Sequence, residues 1–309
     1  MRRGILVYNP TAGQRDRRRA MRRLAQAARE EGLELLHAPT EGPGHATRIV
    51  ADCLRERPDV VAVCGGDGTV SEAAAALLGT DVPLAILPGG TSNVLALELE
   101  IPFPLEGARH VLLHGEPRTV RVGMANERPF ILMTGVGLDA RVMGNMSQYL
   151  KRWLGRAGIL PAVAREFFRY EFPRLEVEID GIVYPATFAV VCNARHYAGN
   201  WIAAPTASIE KEGFDVILFD SRRRRDLAGL FAGMRGRRGA HLSTGLARCV
   251  PGRQVRVVSR EPYAVEAQID GDCVLETPVS CRVSSRRLTI LAPSRAAAEP
   301  RTRTGTSPL

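Results

Sequence analysis

Three short segments combine glycines, small hydroxyls and a carboxylate in a pattern suited to phosphate chemistry. They are Asn9-Pro10-Thr11-Ala12-Gly13, Gly65-Gly66-Asp67-Gly68-Thr69 and Pro88-Gly89-Gly90-Thr91-Ser92-Asn93. Glycine lets a backbone approach a phosphate closely and take positive φ, and amides at a helix start attract anions. The hydroxyls of Thr11, Thr69, Thr91 and Ser92 add hydrogen bonds. One such loop is also an ordinary tight turn, whereas three together point to a bound nucleotide. Asp67 stands out, because a carboxylate among phosphate-binding amides repels the ligand unless a divalent cation intervenes. Mg²⁺ favours one or two carboxylates completed by phosphate oxygens and water. Asp67 therefore points to a Mg-nucleotide and phosphoryl transfer; the plainer alternative is a cap on the helix that follows.

Other phosphate motifs are absent. No G-x-x-x-x-G-K-[ST] occurs, and the two lysines, Lys151 and Lys211, lie far in sequence from the glycine loops. Gly135-Val136-Gly137-Leu138-Asp139-Ala140 matches G-x-G-x-x-A but sits outside a βαβ unit, so it does not read as a dinucleotide fingerprint. The six cysteines form no C-x-x-C, which argues against a disulfide framework or a zinc site.

Each loop needs a strand to present it. The runs 4–8, 33–37, 60–64 and 84–87 read as buried strands, alternating with helices over 15–31, 47–57 and 70–78. That alternation predicts a parallel α/β domain over residues 1–117, with all three loops at the ligand-binding edge of its sheet. From residue 118 to 292 the texture becomes strand-rich, with runs at 119–125, 130–136, 174–184, 186–193, 214–220, 254–259, 263–270 and 281–291. This predicts a mostly antiparallel β-sandwich, with one helical insertion over 145–168. The segment 293–309 lacks apolar periodicity and is expected to be disordered. A length of 309 residues suits two domains. No apolar run is long enough to span a membrane, and the first is too short for a signal peptide, so a cytoplasmic location is expected.

These motifs together resemble the diacylglycerol kinase catalytic family, specifically the soluble bacterial lipid kinases related to sphingosine kinases. NPTAG, HAPTEGPGHA at 37–46, GGDGTVSEA at 65–73 and LPGGTSNVLA at 87–96 carry the resemblance. It continues through TGVGLDA at 134–140, the stretch 192–216 and IDGD at 269–272. The resemblance implies ATP- and Mg²⁺-dependent phosphorylation of a hydroxyl of diacylglycerol or a related lipid in the cleft between the domains. It assigns nucleotide contacts to Asn9, Pro10, Thr11, Gly13, Thr40, Gly65, Gly66, Asp67, Gly68, Thr69, Ser71, Gly90, Thr91 and Asn93. It also implies a structural Mg²⁺ at Glu212, with backbone carbonyls from Ile209 and Phe214. The family's base lies in a D-G-E element, which here reads Asp270-Gly271-Asp272, so Asp272, Asp270 and Asp67 are the candidate catalytic carboxylates. Two departures are visible: Val94 follows Asn93 where the family usually has aspartate, and Glu212 replaces an aspartate.

A lipid acceptor requires contact with a bilayer. Tyr149, Trp153, Leu154, Ile159 and Leu160 lie among Lys151, Arg152, Arg156 and Arg165, which suits either an interfacial segment or a core helix. Arg222 to Arg225 and Arg235 to Arg238 bracket LAGLFAGM, and the formal net charge is +9. Such a balance favours anionic partners, here ATP and the inner face of a membrane. No nucleic-acid recognition pattern accompanies it, and a homodimer is left open. The alternatives are an NAD kinase, which shares GGDGT, and a non-catalytic nucleotide- or lipid-binding regulator of kinase ancestry.

Overall fold

The computed structural model describes residues 1–10, 17–145, 163–236 and 239–295. Four apolar runs form the parallel strands β1 (Arg2–Tyr8), β2 (Leu33–Pro39), β3 (Val60–Gly65) and β4 (Leu84–Pro88), in the order β2-β1-β3-β4. Every residue of β3 and β4 is buried, as expected of parallel strands covered on both faces. The crossovers are α1 (Arg18–Glu30), α2 (His45–Cys53) and α3 (Asp67–Leu77). Helix α1 turns Met21, Leu24, Ala25 and Ala28 to the sheet and its arginines outward. Glu72 of α3 accepts the N–H groups of Gly44 and Ala46 at 2.7 and 3.1 Å, satisfying amides at the start of α2.

The remaining strands are β5 (Glu116–Ala125), β6 (Arg128–Phe130), β7 (Met133–Val136), β8 (Leu175–Ile179), β9 (Ile182–Ala186) and β10 (Phe188–Cys192). Then follow β11 (Phe214–Phe219), β12 (Arg248–Gly252), β13 (Gln254–Ser259), β14 (Glu266–Ile269), β15 (Asp272–Glu276) and β16 (Val279–Ala292). Six of them form an antiparallel sheet in the order β12-β11-β10-β7-β14-β15. The others extend the parallel sheet through β16, which lies beside β4 and pairs along its length with β5. A second apolar core, including Phe130, Val177, Val191, Val216, Val257 and Ala267, fills the space between the two sheets. The expected α/β fold with a mostly antiparallel second half is therefore present.

Several elements differ from the sequence expectation. The run 174–184 is a hairpin, broken where Asp180 and Gly181 take φ of 47° and 88°. Two helices, α4 (Val94–Glu98) and α5 (Leu105–His114), follow the third glycine loop. The arginine-bracketed stretch contains a helix over Arg224–Arg235 that buries Leu227, Leu230 and Met234 and keeps its cations outside. Most of the expected interfacial segment, from 146 to 162, and most of the expected disordered tail, from 296, lie outside the described residues.

Candidate active site

The ends of the parallel strands bring the glycine loops together. The Asn9 N–H donates to Cys64 O at 3.0 Å, the Thr40 N–H to Tyr8 O at 2.8 Å, and the Gly89 N–H to Gly65 O at 2.9 Å. The second and third loops touch backbone to backbone: a Cβ on Gly90 would overlap Gly66 Cα, and one on Gly89 would come within 3.0 Å of Gly65 N. Asn93, at φ 48°, returns its side chain to its own loop. Its Oδ1 accepts the Gly90 N–H and its Nδ2 donates to Gly90 O, both at 2.9 Å. Arg17, which sequence reasoning passed over among so many arginines, donates from Nη2 to Gly89 O at 2.9 Å. Thr91 and Gly68 are exposed at this edge, and Pro10, Gly66 and Thr69 are half-buried. Thr11 and Gly13 lie outside the described residues.

Asp67 serves a helix other than its own. Its Oδ1 accepts the Val94 N–H at 2.7 Å, and the amides of Asn93 and Leu95 also bond to the carboxylate at the start of α4. Burial nevertheless raises its pKa, the amides only partly offsetting the loss of water. Asp270 reaches the same region from the second half of the chain. It lines a small cavity with Ser71 of α3, Val122, Ile131 and Leu288. Its carboxylate accepts three consecutive amides, Ile131 N–H at 2.8 Å, Leu132 N–H at 2.9 Å and Met133 N–H at 3.0 Å. Burial is the main force raising Asp270 to about 6, and the negative charge of Asp67 adds to it. Asp272, two residues on at the start of β15, is exposed.

A third group joins the halves behind α4. Glu98, at the end of that helix, is 8% exposed. It accepts the Arg195 Nε–H at 3.0 Å and lies 2.6 Å from His196 Nδ1. Burial pushes Glu98 upward, but His196 and Arg195 outweigh it and hold the carboxyl below its usual range. Arg195 and His196 fall in the resemblance-carrying stretch 192–216, but nothing there marks Glu98 as their partner, ninety-seven and ninety-eight positions away in sequence.

The model of the diacylglycerol kinase catalytic domain matches residues 3–125, and that of the YegS C-terminal NAD kinase beta sandwich-like domain matches residues 133–292. The chain belongs to the family defined by the YegS C-terminal domain, which covers just over half of it, here preceded by a diacylglycerol kinase catalytic domain. A diacylglycerol kinase of Mycobacterium tuberculosis is 26% identical over 93% of this chain and 94% of that protein. A "Probable lipid kinase YegS-like" of Pseudomonas putida is 29% identical over 65% of this chain and 71% of its own length. The fold matches a crystal structure of a diacylglycerol kinase from Bacillus anthracis with a TM-score of 0.75 at 21% identity, covering 95% of this chain and 97% of that one.

Membership of this kinase family implies a nucleotide substrate and a divalent metal. Among the described residues, no group of three or more His, Cys, Asp or Glu gathers as a cation cage. Asp67 and Asp270, two partly buried carboxyls each raised first by loss of water, with the charge of Asp67 adding to the rise of Asp270, fit an ion whose shell is completed by phosphate oxygens and water. The turn at Glu212 does not fit one. Its two carboxylate oxygens are taken by Arg121 Nη2 at 2.8 Å and Arg253 Nη2 at 2.9 Å, and Ile209 O accepts the Arg121 N–H at 2.6 Å. A divalent cation there would face two guanidinium groups. Phe214 contributes a buried ring stacked on Phe130, centroids 5.4 Å apart. Val94, in place of the family aspartate, is 5% exposed and packs into the core, leaving Asp67 as the carboxylate of this loop pair.

Proposed function

We propose that the chain transfers the γ-phosphoryl group of ATP, with Mg²⁺, to a hydroxyl of diacylglycerol or a related lipid. The observation that carries this reading is the direct packing of the GGDGT and PGGTSN loops, with Asp67 beside them and Asp270 brought up from the second half of the chain. The nucleotide lies along Asn9, Thr40, Gly65 to Thr69 and Gly90 to Asn93, its phosphates on the loop amides. When bound, Mg²⁺ would neutralise phosphate charge, with Asp67 the protein carboxylate of the loop pair beside it and Asp270 adding negative charge from behind.

Asp272 is the base in this reading. Asp270 has three amides on its carboxylate and is committed to holding backbone, whereas Asp272 is exposed. The lipid hydroxyl oxygen forms a bond to the γ-phosphorus, its proton passes to the Asp272 carboxylate, and the bond to the β-bridging oxygen breaks to release ADP. The acceptor is reached at a membrane surface. Phe168, 69% exposed, lies beside Arg224, whose Nη2 donates to its carbonyl at 2.9 Å. No helix among the described residues is long and apolar enough to cross a membrane.

The test is label transfer from γ-labelled ATP to mixed micelles of diacylglycerol, monoacylglycerol, ceramide and sphingoid base, with NAD in a parallel tube. Label in a lipid is expected, falling at least about 100-fold in Asp272→Asn with ATP binding retained. Asp67→Asn, which keeps an acceptor for the Val94 N–H but removes the charge, should fold normally and lose turnover. Label in NADP alone, or full activity in Asp272→Asn, would overturn the reading.

A further inference from the structure

The motif Gly135-Val136-Gly137 matched a dinucleotide fingerprint by spacing, yet it opens no βαβ unit: β7 is flanked by the antiparallel strands β10 and β14. Its glycines serve another purpose. A Cβ on Gly135 would overlap the carboxylate of Asp139, which folds back from the first turn of α6 (Leu138–Asn145). Gly137, at φ 114°, makes the bend that allows this. The space is filled by a charged group that is only 6% exposed and that the proposed transfer step does not use.

That carboxylate leads to the catalytic turn. Asp139 Oδ1 accepts the Ala140 N–H at 2.8 Å, and its Oδ2 accepts from Gln268 Nε2 at 3.1 Å. The Tyr197 hydroxyl bonds to the same group. Gln268, 3% exposed, in turn accepts the Gly271 N–H on Oε1 at 2.7 Å. The polarity of this chain is fixed from one end. A backbone N–H can only donate, so Oε1 must face Gly271, Nε2 must face position 139, and residue 139 must accept. Gly271 has φ 94° and stands between Asp270, anchored by three amides, and Asp272, exposed. Anchoring both Asp270 and Gly271 fixes the direction in which Asp272 leaves the turn.

We propose that Asp139 and Gln268 are positioning residues that hold the Asp270-Gly271-Asp272 turn through the Gly271 amide. The proposal rests on Asp272 being the base. It predicts that the relay works in reversed polarity: Asn at 139 and Glu at 268 rebuild the same two bonds, with the amide now donating from position 139.

The variants Asp139→Asn, Gln268→Glu and the double variant are compared with wild type in two assays. In the first, kcat for label transfer to diacylglycerol falls in each single variant by about 10- to 100-fold, the scale of a misplaced reacting group. KM for ATP stays within about twofold, and the double variant recovers most of the loss. In the second, without substrate, amide hydrogen exchange of the peptide spanning 266–276 quickens in each single variant and returns towards wild type in the double. Should a charged variant fail to fold, Gln268→Met, similar in size and unable to accept the Gly271 N–H, takes its place and should show slow turnover with fast exchange. Single variants unchanged in both assays, or a double variant no better than the poorer single, would overturn the relay. If wild type labels no lipid, the functional reading fails, while the exchange assay still decides the relay.

Discussion

At the scale of single residues, burial decides which carboxylates can do chemistry. Asp139 and Asp270 are both raised to about 6, with loss of water as the first cause. Their unfolded value lies near 3.8, so each favours the folded state in its neutral form. That contribution is complete below pH 3.8 and is lost as pH rises through about 6. It amounts to roughly 3 kcal/mol per group, at about 1.4 kcal/mol for each pK unit. Urea unfolding of wild type and Asp139→Asn between pH 4 and 7 checks this. The stability difference, wild type minus variant, should fall with rising pH across that window and level off above it; a flat difference would refute the burial argument. Sequence singled out Asp67, Asp270 and Asp272 but not Asp139, and did not show how any of them is held. Asp67 was legible as a phosphate-loop aspartate or a cap for its own helix, yet it caps α4, twenty-seven positions away. Spacing along the chain carries no signal for such a bond.

At the scale of elements, α4 is the connecting part. Its first amide is held by Asp67 and its last residue, Glu98, by Arg195 and His196, so a five-residue helix ties the glycine loops to the second half of the chain. Glu98→Ala would leave the Arg195 guanidinium and the His196 ring without their acceptor beside a buried gap, and breaking such a pair costs on the order of 3 kcal/mol. The expected outcome is a fall of several degrees in the thermal midpoint, with Glu98→Gln intermediate because it retains one acceptor. A midpoint within one degree of wild type in Glu98→Ala would show that the cluster is not a fastening. The helix was invisible in the sequence because it is short and starts from an asparagine at positive φ. By contrast, β1, β3 and β4 were plain as unbroken apolar runs, since strands buried on both faces need no alternation. Strands β12 and β15 escaped notice for the opposite reason: Arg-Cys-Val-Pro-Gly and Asp-Cys-Val-Leu-Glu are short and mixed in character.

At the scale of the molecule, the last strand makes the two halves interdependent. β16 pairs with β5 from Ala292 opposite Glu116 to Cys281 opposite Ala125, and touches β4 where Ile290 meets Leu84. Leu288 and Ile290 are fully buried in the core that also holds Val61, Leu84 and Ile86 of the parallel strands. The alternation of strands and helices in the first hundred residues showed the parallel sheet, but not that its outer edge is closed by a segment nearly two hundred residues later. Pairing partners separated that far leave no periodicity to read. A fragment ending at residue 125 would keep every parallel strand yet expose the free edge of β4, one side of β5 and the apolar surface that β16 covers. Such a fragment should lack a cooperative urea transition and self-associate on size exclusion, whereas the whole chain unfolds in a single step. Adding a 126–292 fragment should restore a sharp transition if the missing edge is the cause. A 1–125 fragment that unfolds cooperatively near the whole-chain midpoint would mean that the parallel domain is complete without β16.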